Sequence, residues 1–389
     1  MNIAIFTNNY LPNPYGVSMS IESFRKEFEK MGHTVYVFAP AFKGHIDENP
    51  NVHRFPSIDL TFRGIRFPIV IPFSYRMDRI LEKMEIDVIH AQHPNLLGWQ
   101  ARRWAKKKNV PLVFTWHTLY DQYAHFAPFF IPKRMAEWWS ISNAVRFANK
   151  ADYVIAPTPS VVEIIKKWGV KNSFIKDVPT GINEDVFLDA DGQSIRKRYG
   201  ISEDEILLIL VSRFTSEKNV EFLLNSVILA LKQNSKIKFL AGGDGNLLDS
   251  LKNLVEKEEL ADRIIFPGFI GNNIKKNYYA AGDMFVFASK SETQGMIISE
   301  ALYMGLPVVA LSAPGVKDAV ANQVNGLLVD ENEEDFTAAI MRLAEDDELR
   351  KRFSQNAKRV ARENYTAAIC TIKMLEVYTK SIKQMNHEV

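Results

Sequence analysis

Residues 291–302 read Ser-Glu-Thr-Gln-Gly-Met-Ile-Ile-Ser-Glu-Ala-Leu, and this stretch decides the fold. Ahead of it, residues 284–288 form a short apolar run of strand type; behind Gly295, residues 296–304 have helical spacing and good helix formers. The spacing predicts a strand, a tight polar turn and a helix, with Gly295 where the helix opens. The first N–H groups of such a helix have no partner within it and sit at the positive end of its dipole, which suits them to a phosphate. Glu292 lies in the turn, and Glu300 lies over a turn into the helix. Both would repel the phosphate itself, yet both suit hydroxyl donors on either side of it, such as a sugar and a ribose. Taken alone, the stretch favours a plainer reading, a capped amphipathic helix with two solvated glutamates.

Working outward, the same alternation recurs. Strands are expected at 206–211, 237–241, 264–266, 308–310 and 327–329, and helices at 220–233, 247–258, 274–281, 336–345, 348–364 and 367–384. Residues 184–203 (EDVFLDADGQSIRKRYGISE) lose the periodicity, and the domain boundary is expected there. Before them runs a first series: strands at 2–7, 35–39, 88–91, 112–115, 153–156 and 173–178, with helices at 20–31, 97–108 and 160–168. Strand–helix–strand order implies parallel sheets whose loops gather at one edge. The expected fold is α/β: two doubly wound, Rossmann-like domains at 1–185 and 186–366, facing across a ligand cleft.

With 389 residues, 47% hydrophobic and 24% charged, the composition is that of a soluble globular chain of two domains. No apolar run approaches the roughly 18 residues that span a bilayer, and the start reads as a strand, not a secretory leader. The single cysteine, Cys370, excludes an internal disulfide and most cysteine-ligated metals. A cytoplasmic location is expected. Residues 1–185 carry 23 Lys and Arg against 17 Asp and Glu, while the remainder carries 25 against 29, and all six tryptophans precede residue 169. A basic, aromatic first half suits an anionic surface, although a modest fluctuation of solvated charge explains the counts equally well.

Several loops carry chemistry. Arg213 and Lys218 follow the first strand of the second series and can clamp a diphosphate. Gly242-Gly243-Asp244-Gly245 permits close backbone approach, and Pro267-Gly268-Phe269-Ile270 offers backbone groups to a flat base; each is weak alone. His117, past the strand at 112–115, can hydrogen-bond a substrate hydroxyl, with Tyr120, Tyr123 and His125 crowding the same loop. His90 and His93 invite a metal, but without a Cys or carboxylate neighbour a hydrogen-bonding role in the loop is preferred. Asp189 and Asp191 read as solvated turn chemistry. Gly16 lets the loop after the first strand approach a ligand. Residues 63–79 and 126–147 interleave Lys and Arg with aromatics, as an interfacial segment would, Lys133, Arg134, Trp138 and Trp139 foremost, with core packing of the aromatics an equal contender. Nucleic acid is not expected, since there is no large basic excess and no known motif.

Taken together, Tyr15-Gly16-Val17, the His117 loop, residues 179–183, Arg213, Lys218, residues 242–245, and Glu292 with Glu300 resemble the family-4 retaining glycosyltransferases of the GT-B fold. The likeness is greatest to bacterial diacylglycerol glucosyltransferases. It implies that Arg213 and Lys218 hold the donor diphosphate, that Glu300 accepts from the ribose, and that Glu292 meets the sugar. It further implies that Gly295, Met296 and Ile297 face sugar and phosphate, that Gly16, Gly243 and Ile270 line the donor, and that His117 meets the transferred hexose. Tyr10, Tyr120, Tyr123 and His125 fall on the acceptor side. The final helix, 367–389, is implied to return to the first domain. Thr180, Ile182 and Asn219 depart from the family pattern without removing a charge. The implied reaction moves a hexose, glucose from UDP-glucose, to a membrane lipid such as 1,2-diacylglycerol with retention. No metal or cofactor is required, and the implied location is peripheral, at the inner face of the cell membrane. A soluble acceptor (a thiol precursor, an inositol phosphate or a polysaccharide), a sugar-nucleotide epimerase and a non-catalytic nucleotide-sugar binder are the alternatives.

Overall fold

Apolar strands separated by helices assemble into two parallel sheets in the computed structural model, which describes residues 1–13, 15–62, 65–120 and 132–387 (only the backbone at 61, 62, 65–67, 133 and 387). The chain divides into two compact units, Met1–Gly181 with Ala367–Val389, and Ile182–Thr366.

The first unit contains β1 (Asn2–Phe6), β2 (Thr34–Pro40), β3 (Val52–Phe55), β4 (Ser57–Phe62), β5 (Ile65–Val70), β6 (Val88–Ala91), β7 (Leu112–Thr115), β8 (Tyr153–Ala156) and β9 (Ile175–Asp177). Its helices are α1 (Gly16–Lys30), α2 (Tyr75–Lys83), α3 (Leu97–Lys108), α4 (Lys133–Ala148) and α5 (Pro159–Lys167). The main sheet has the order β3-β2-β1-β6-β7-β8-β9, while β4 and β5 form a separate antiparallel hairpin. The chain winds outward in both directions from the β1/β6 pair, whose carboxyl ends are the switch point where such sheets bind ligands. Side chains alternate across the sheet. Ala4, Phe6, Ile89 and Phe114 enter one core, while Ile3, Ile5, Val88 and Val113 enter another.

The second unit holds α6 (Gly192–Arg198), β10 (Ile206–Val211), α7 (Val220–Gln233), β11 (Ile237–Gly242), α8 (Leu248–Lys257), β12 (Ile264–Gly268), α9 (Lys275–Ala281) and β13 (Met284–Phe287). It continues through α10 (Met296–Tyr303), β14 (Val308–Leu311), α11 (Val316–Ala319), β15 (Gly326–Val329), α12 (Glu333–Glu345) and α13 (Asp347–Asn364). The order β12-β11-β10-β13-β14-β15 puts the switch point between β10 and β13. The last helix, α14 (Ala367–His387), belongs to the first unit, where Cys370, Met374, Val377 and Tyr378 complete the Ile3 side of the sheet.

Residues 184–203 are not the linker that their composition predicts. Asp191 caps α6, its carboxylate accepting from Ser194 N at 3.0 Å. Arg196, 8% exposed, pairs with Asp283 at 2.5 Å and donates to the Ala281 carbonyl at 2.9 Å. The division falls earlier, before Ile182, whose N–H donates to Tyr365 O at 2.7 Å.

Candidate active site

At the switch point of the second unit, the loop after β10 is pinned by the loop after β11. Ser212 N donates to Gly242 O at 3.0 Å, Phe214 N to Asp244 O at 2.9 Å, and Leu247 N to Phe214 O at 3.1 Å. A Cβ on Gly243 would stand 1.8 Å from Ser212 O, and one on Gly245 would stand 2.3 Å from Phe214 O. These glycines therefore admit the backbone of the loop after β10. The loop then turns through residues 216–218 and leaves by Asn219, held at φ +53°. Asparagine tolerates this left-handed conformation better than most residues, which accounts for its standing where the family pattern has glycine.

The result is to bring Lys218 to Glu292, Nζ to Oε1 at 2.5 Å, with side chains only 16% and 14% exposed. Ser289 and Ser291 donate to the Glu217 carbonyl at 3.3 and 3.2 Å, tying the two loops together. Arg213 projects outward, 60% exposed, with Glu217 3.3 Å away. Burial pushes the Glu217 carboxyl up, but hydrogen bonds from its own backbone and Thr215, with Arg213 and Lys218 nearby, outweigh this and hold it below the usual range.

Gly295 caps α10 at φ +71°, so the N–H groups of Met296 and Ile297 occupy the first turn as the sequence predicts. Glu300 is not the solvated carboxylate of an exposed helix face. It is 8% exposed, with Oε1 2.5 Å from Lys275 Nζ and Oε2 accepting from Tyr279 Oη at 3.0 Å. Ile270, 7% exposed, packs against Gly242, and Gly268 O accepts from Gly243 N at 2.8 Å.

Lys275 and Gly315 escaped the sequence reading. Gly315 has φ +75°, and a Cβ there would lie 2.5 Å from the carbonyl oxygen of Glu292. The turn that carries Glu292 thus rests on a bare backbone. Gly315→Ala is expected to cost about 1–3 kcal/mol of stability and to displace Glu292; thermal unfolding with donor KM checks it, and an unchanged KM would contradict it.

In the first unit, β6 and β7 deliver His90, Gln92 and His117. His117 Nε2 lies 2.6 Å from Gln92 Oε1, and Gln92 is buried. Burial, with His93 and His90 alongside, brings the His117 imidazole down to about 3. The neutral ring then has its proton on Nε2, directed at the amide oxygen, and a free lone pair on Nδ1. His90 does not serve the loop as expected. It is 3% exposed, with Nδ1 2.7 Å from Tyr378 Oη and Nε2 2.6 Å from Thr115 Oγ1, because its strand position turns it inward. His93 Nδ1 accepts from Asn8 N at 3.1 Å. A small cavity bounded by His90, Gln92, Thr115, His117 and Tyr378 offers about 20 Å³ to water centres, room for one water.

Burial brings His90 down to about 3. Its folded value lies below the unfolded value, so its stability contribution is full above about pH 6.5 and is lost on acidification. We expect about 1.4 kcal/mol per pH unit from this residue between those limits. Urea unfolding from pH 7 to pH 5 measures the slope, and His90→Gln should lower it by one proton.

Tyr10 is not on an acceptor surface: it is 4% exposed, and its hydroxyl donates to Glu22. Tyr120 packs edge-on against Trp116, with centroids 5.7 Å apart. Tyr123 and His125 lie outside the described residues, as does the Lys133 side chain. Gly16 opens α1, and a Cβ there would meet nothing within 4 Å. On α4, Arg134 is exposed, and Met135, Trp138 and Trp139, spaced for one face, are 55%, 63% and 59% exposed. Among the described residues, no helix is long and apolar enough to cross a membrane.

Two doubly wound parallel sheets, one with a lysine–carboxylate pair at its switch point and a glycine-capped helix beside it, define a GT-B glycosyltransferase. The chain belongs to glycosyltransferase family 4: residues 14–186 match the model "Glycosyltransferase Family 4" and residues 191–360 match "Glycosyl transferases group 1". It is 31% identical to the alpha-monoglucosyldiacylglycerol synthase of Streptococcus pneumoniae, over 94% of this chain and 83% of that one. It is 28% identical to the Acholeplasma laidlawii protein of the same name, over 99% and 100%. A GDP-mannose-dependent alpha-mannosyltransferase of Mycobacterium tuberculosis is 25% identical over 92% and 91%. The crystal structure of Anabaena HepE with UDP and glucose superposes with a TM-score of 0.76 at 19% identity, over 98% of this chain and all of that one.

Proposed function

We propose that this glycosyltransferase moves glucose from UDP-glucose to a hydroxyl of a membrane lipid such as 1,2-diacylglycerol, with retention and without a metal or other cofactor. The Lys218–Glu292 pair carries the reading of the chemistry. An ammonium has three donors, so Lys218 can keep Glu292 while giving its others to the departing phosphate, with Arg213 reaching the same diphosphate. Glu292 retains lone pairs for the sugar hydroxyls, Glu300 for the ribose, and the first N–H groups of α10 face the phosphate. His117 offers Nδ1 to a hydroxyl of the hexose. The C1–phosphate bond breaks, the acceptor oxygen bonds C1 on the same face, and its proton passes to the released phosphate oxygen. The likeness to two alpha-monoglucosyldiacylglycerol synthases supports the acceptor, as do Met135, Trp138 and Trp139 on α4, with Lys133 and Arg134 at its start for anionic lipid. A peripheral position at the inner face of the membrane follows from this reading.

The 25% likeness to a GDP-mannose-dependent enzyme favours a second donor reading, GDP-mannose. A panel of nucleotide sugars with diacylglycerol vesicles and soluble acceptors decides between them. Glucosyl lipid formed from UDP-glucose alone is expected. Mannosyl transfer, or transfer to soluble acceptors only, would overturn the donor or acceptor assignment.

A further inference from the structure

Gln92 stands where β6 runs out into the loops at the carboxyl end of the first sheet, and the backbone on both sides of it is fixed. Its N–H donates to Phe6 O at 2.9 Å, which continues the β1/β6 ladder by one residue. Asn8 holds the residues that follow. Its N–H donates to His93 Nδ1 at 3.1 Å, its Nδ2 donates to Asn95 Oδ1 at 2.8 Å, and its Oδ1 accepts from Leu97 N at 3.0 Å. Leu96 keeps φ +50° within this turn, a strained setting for a residue with a Cβ, which the surrounding bonds maintain. From this rigid base the Gln92 side chain, 4% exposed, sets its amide oxygen 2.6 Å from His117 Nε2.

The chemistry of that partner decides what the ring can do. A carboxylate in its place would draw a second proton onto the imidazole and leave no lone pair, whereas an amide oxygen accepts one N–H and adds no charge. The titratable groups nearby do not compete for the role. His90 and Tyr378 bond to one another, His93 accepts from Asn8, and among the described residues no carboxylate, lysine or arginine lines the cavity that the ring borders. The His117 ring is itself only half-buried, and among the described residues Nδ1 has no hydrogen-bond partner. One nitrogen is therefore committed to the protein, and the other is left as a lone pair open to a ligand.

We propose that Gln92 is a positioning residue for the transfer: by fixing the proton on Nε2 it makes His117 an acceptor only, so that the site selects a hexose with a donating hydroxyl at that place. The inference rests on the reading that His117 meets the hexose, and the experiment separates the two. Nitrogen-15 NMR of the histidine-labelled full chain, with the His117 signals identified by their loss in His117→Ala, should show the Nε2-protonated neutral ring in the parent. Gln92→Glu keeps the shape of the side chain and should instead give an imidazolium near neutral pH. An imidazolium has no lone pair for the sugar, so kcat/KM of Gln92→Glu should fall on acidification between about pH 8 and pH 6, a limb absent from the parent. An amide with a merely structural role would cost activity alike at every pH.

Gln92→Leu supplies the second arm. It frees the ring to turn and should lower kcat/KM roughly tenfold, the worth of one neutral hydrogen bond to the substrate. Fluorine cannot donate, so one member of a set of singly deoxyfluorinated UDP-glucose donors should be penalised most by the parent. That extra penalty should vanish in Gln92→Leu, while the general slowing by fluorine is common to both enzymes and cancels in the cycle. An Nδ1-protonated ring in the parent, no acid limb in Gln92→Glu, or equal fluorine penalties in parent and Gln92→Leu overturns the inference. Parental activity in His117→Ala would remove the hexose contact itself, and the proposal with it. A large loss in His117→Ala beside parental kinetics in Gln92→Leu would remove only the role of Gln92.

Discussion

Lys218→Ala is expected to lower kcat/KM by roughly 100- to 1,000-fold, the loss typical of removing one preorganised donor from developing charge. The effect should fall mainly on kcat, because the leaving phosphate carries more charge in the transition state than in the bound donor. Stability complicates the single variant. Removing the ammonium leaves the Glu292 carboxylate, 14% exposed, without its partner at 2.5 Å, at a cost of about 1–3 kcal/mol. Lys218→Met combined with Glu292→Gln removes both charges and should recover most of that stability while remaining inactive. Steady-state kinetics with thermal unfolding on all three proteins gives the answer. A Lys218→Ala enzyme within threefold of the parent would remove the phosphate assignment.

The second large effect is at Glu300. Glu300→Ala leaves Lys275, whose side chain is 14% exposed, with its charge uncompensated, and should destabilise the second unit by about 3 kcal/mol. The Tyr279 hydroxyl loses its acceptor as well. Donor KM should rise in parallel, because the same carboxylate is assigned to the ribose. The two effects separate in Glu300→Leu with Lys275→Met, in which neither partner is charged. This pair should unfold near the parental temperature and still bind donor poorly. Recovery of both properties would make Glu300 purely structural.

Much of this was legible in the residues because parallel sheets have a strong signature. Apolar runs such as 206–211 and 284–287 have few other places to go, and the switch-point rule alone brings the loops of Lys218 and Glu292 to one edge. The β4–β5 hairpin was legible only as a basic, aromatic stretch. Its alternation is strand-like, but its apolar face points away from the core, so it matches no pattern of burial. The capping role of Asp191 was lost in a segment whose composition is that of a linker. Lys275 and Gly315 left no local trace. Lys275 meets Glu300 across 25 residues of chain, and the need for glycine at 315 arises from a carbonyl contributed by another loop.

Tyr378, bonded to His90 across 288 positions, makes the first unit discontinuous. On the ribosome that unit begins to emerge first, yet one side of its sheet stays open until the last helix has left the exit tunnel. Ile182–Thr366, by contrast, is a single uninterrupted run and can close on itself earlier. Vectorial synthesis therefore reverses the order of completion: the half made second is finished first. Pulse-chase proteolysis of stalled nascent chains would register this as late protection of Val88 and its neighbours.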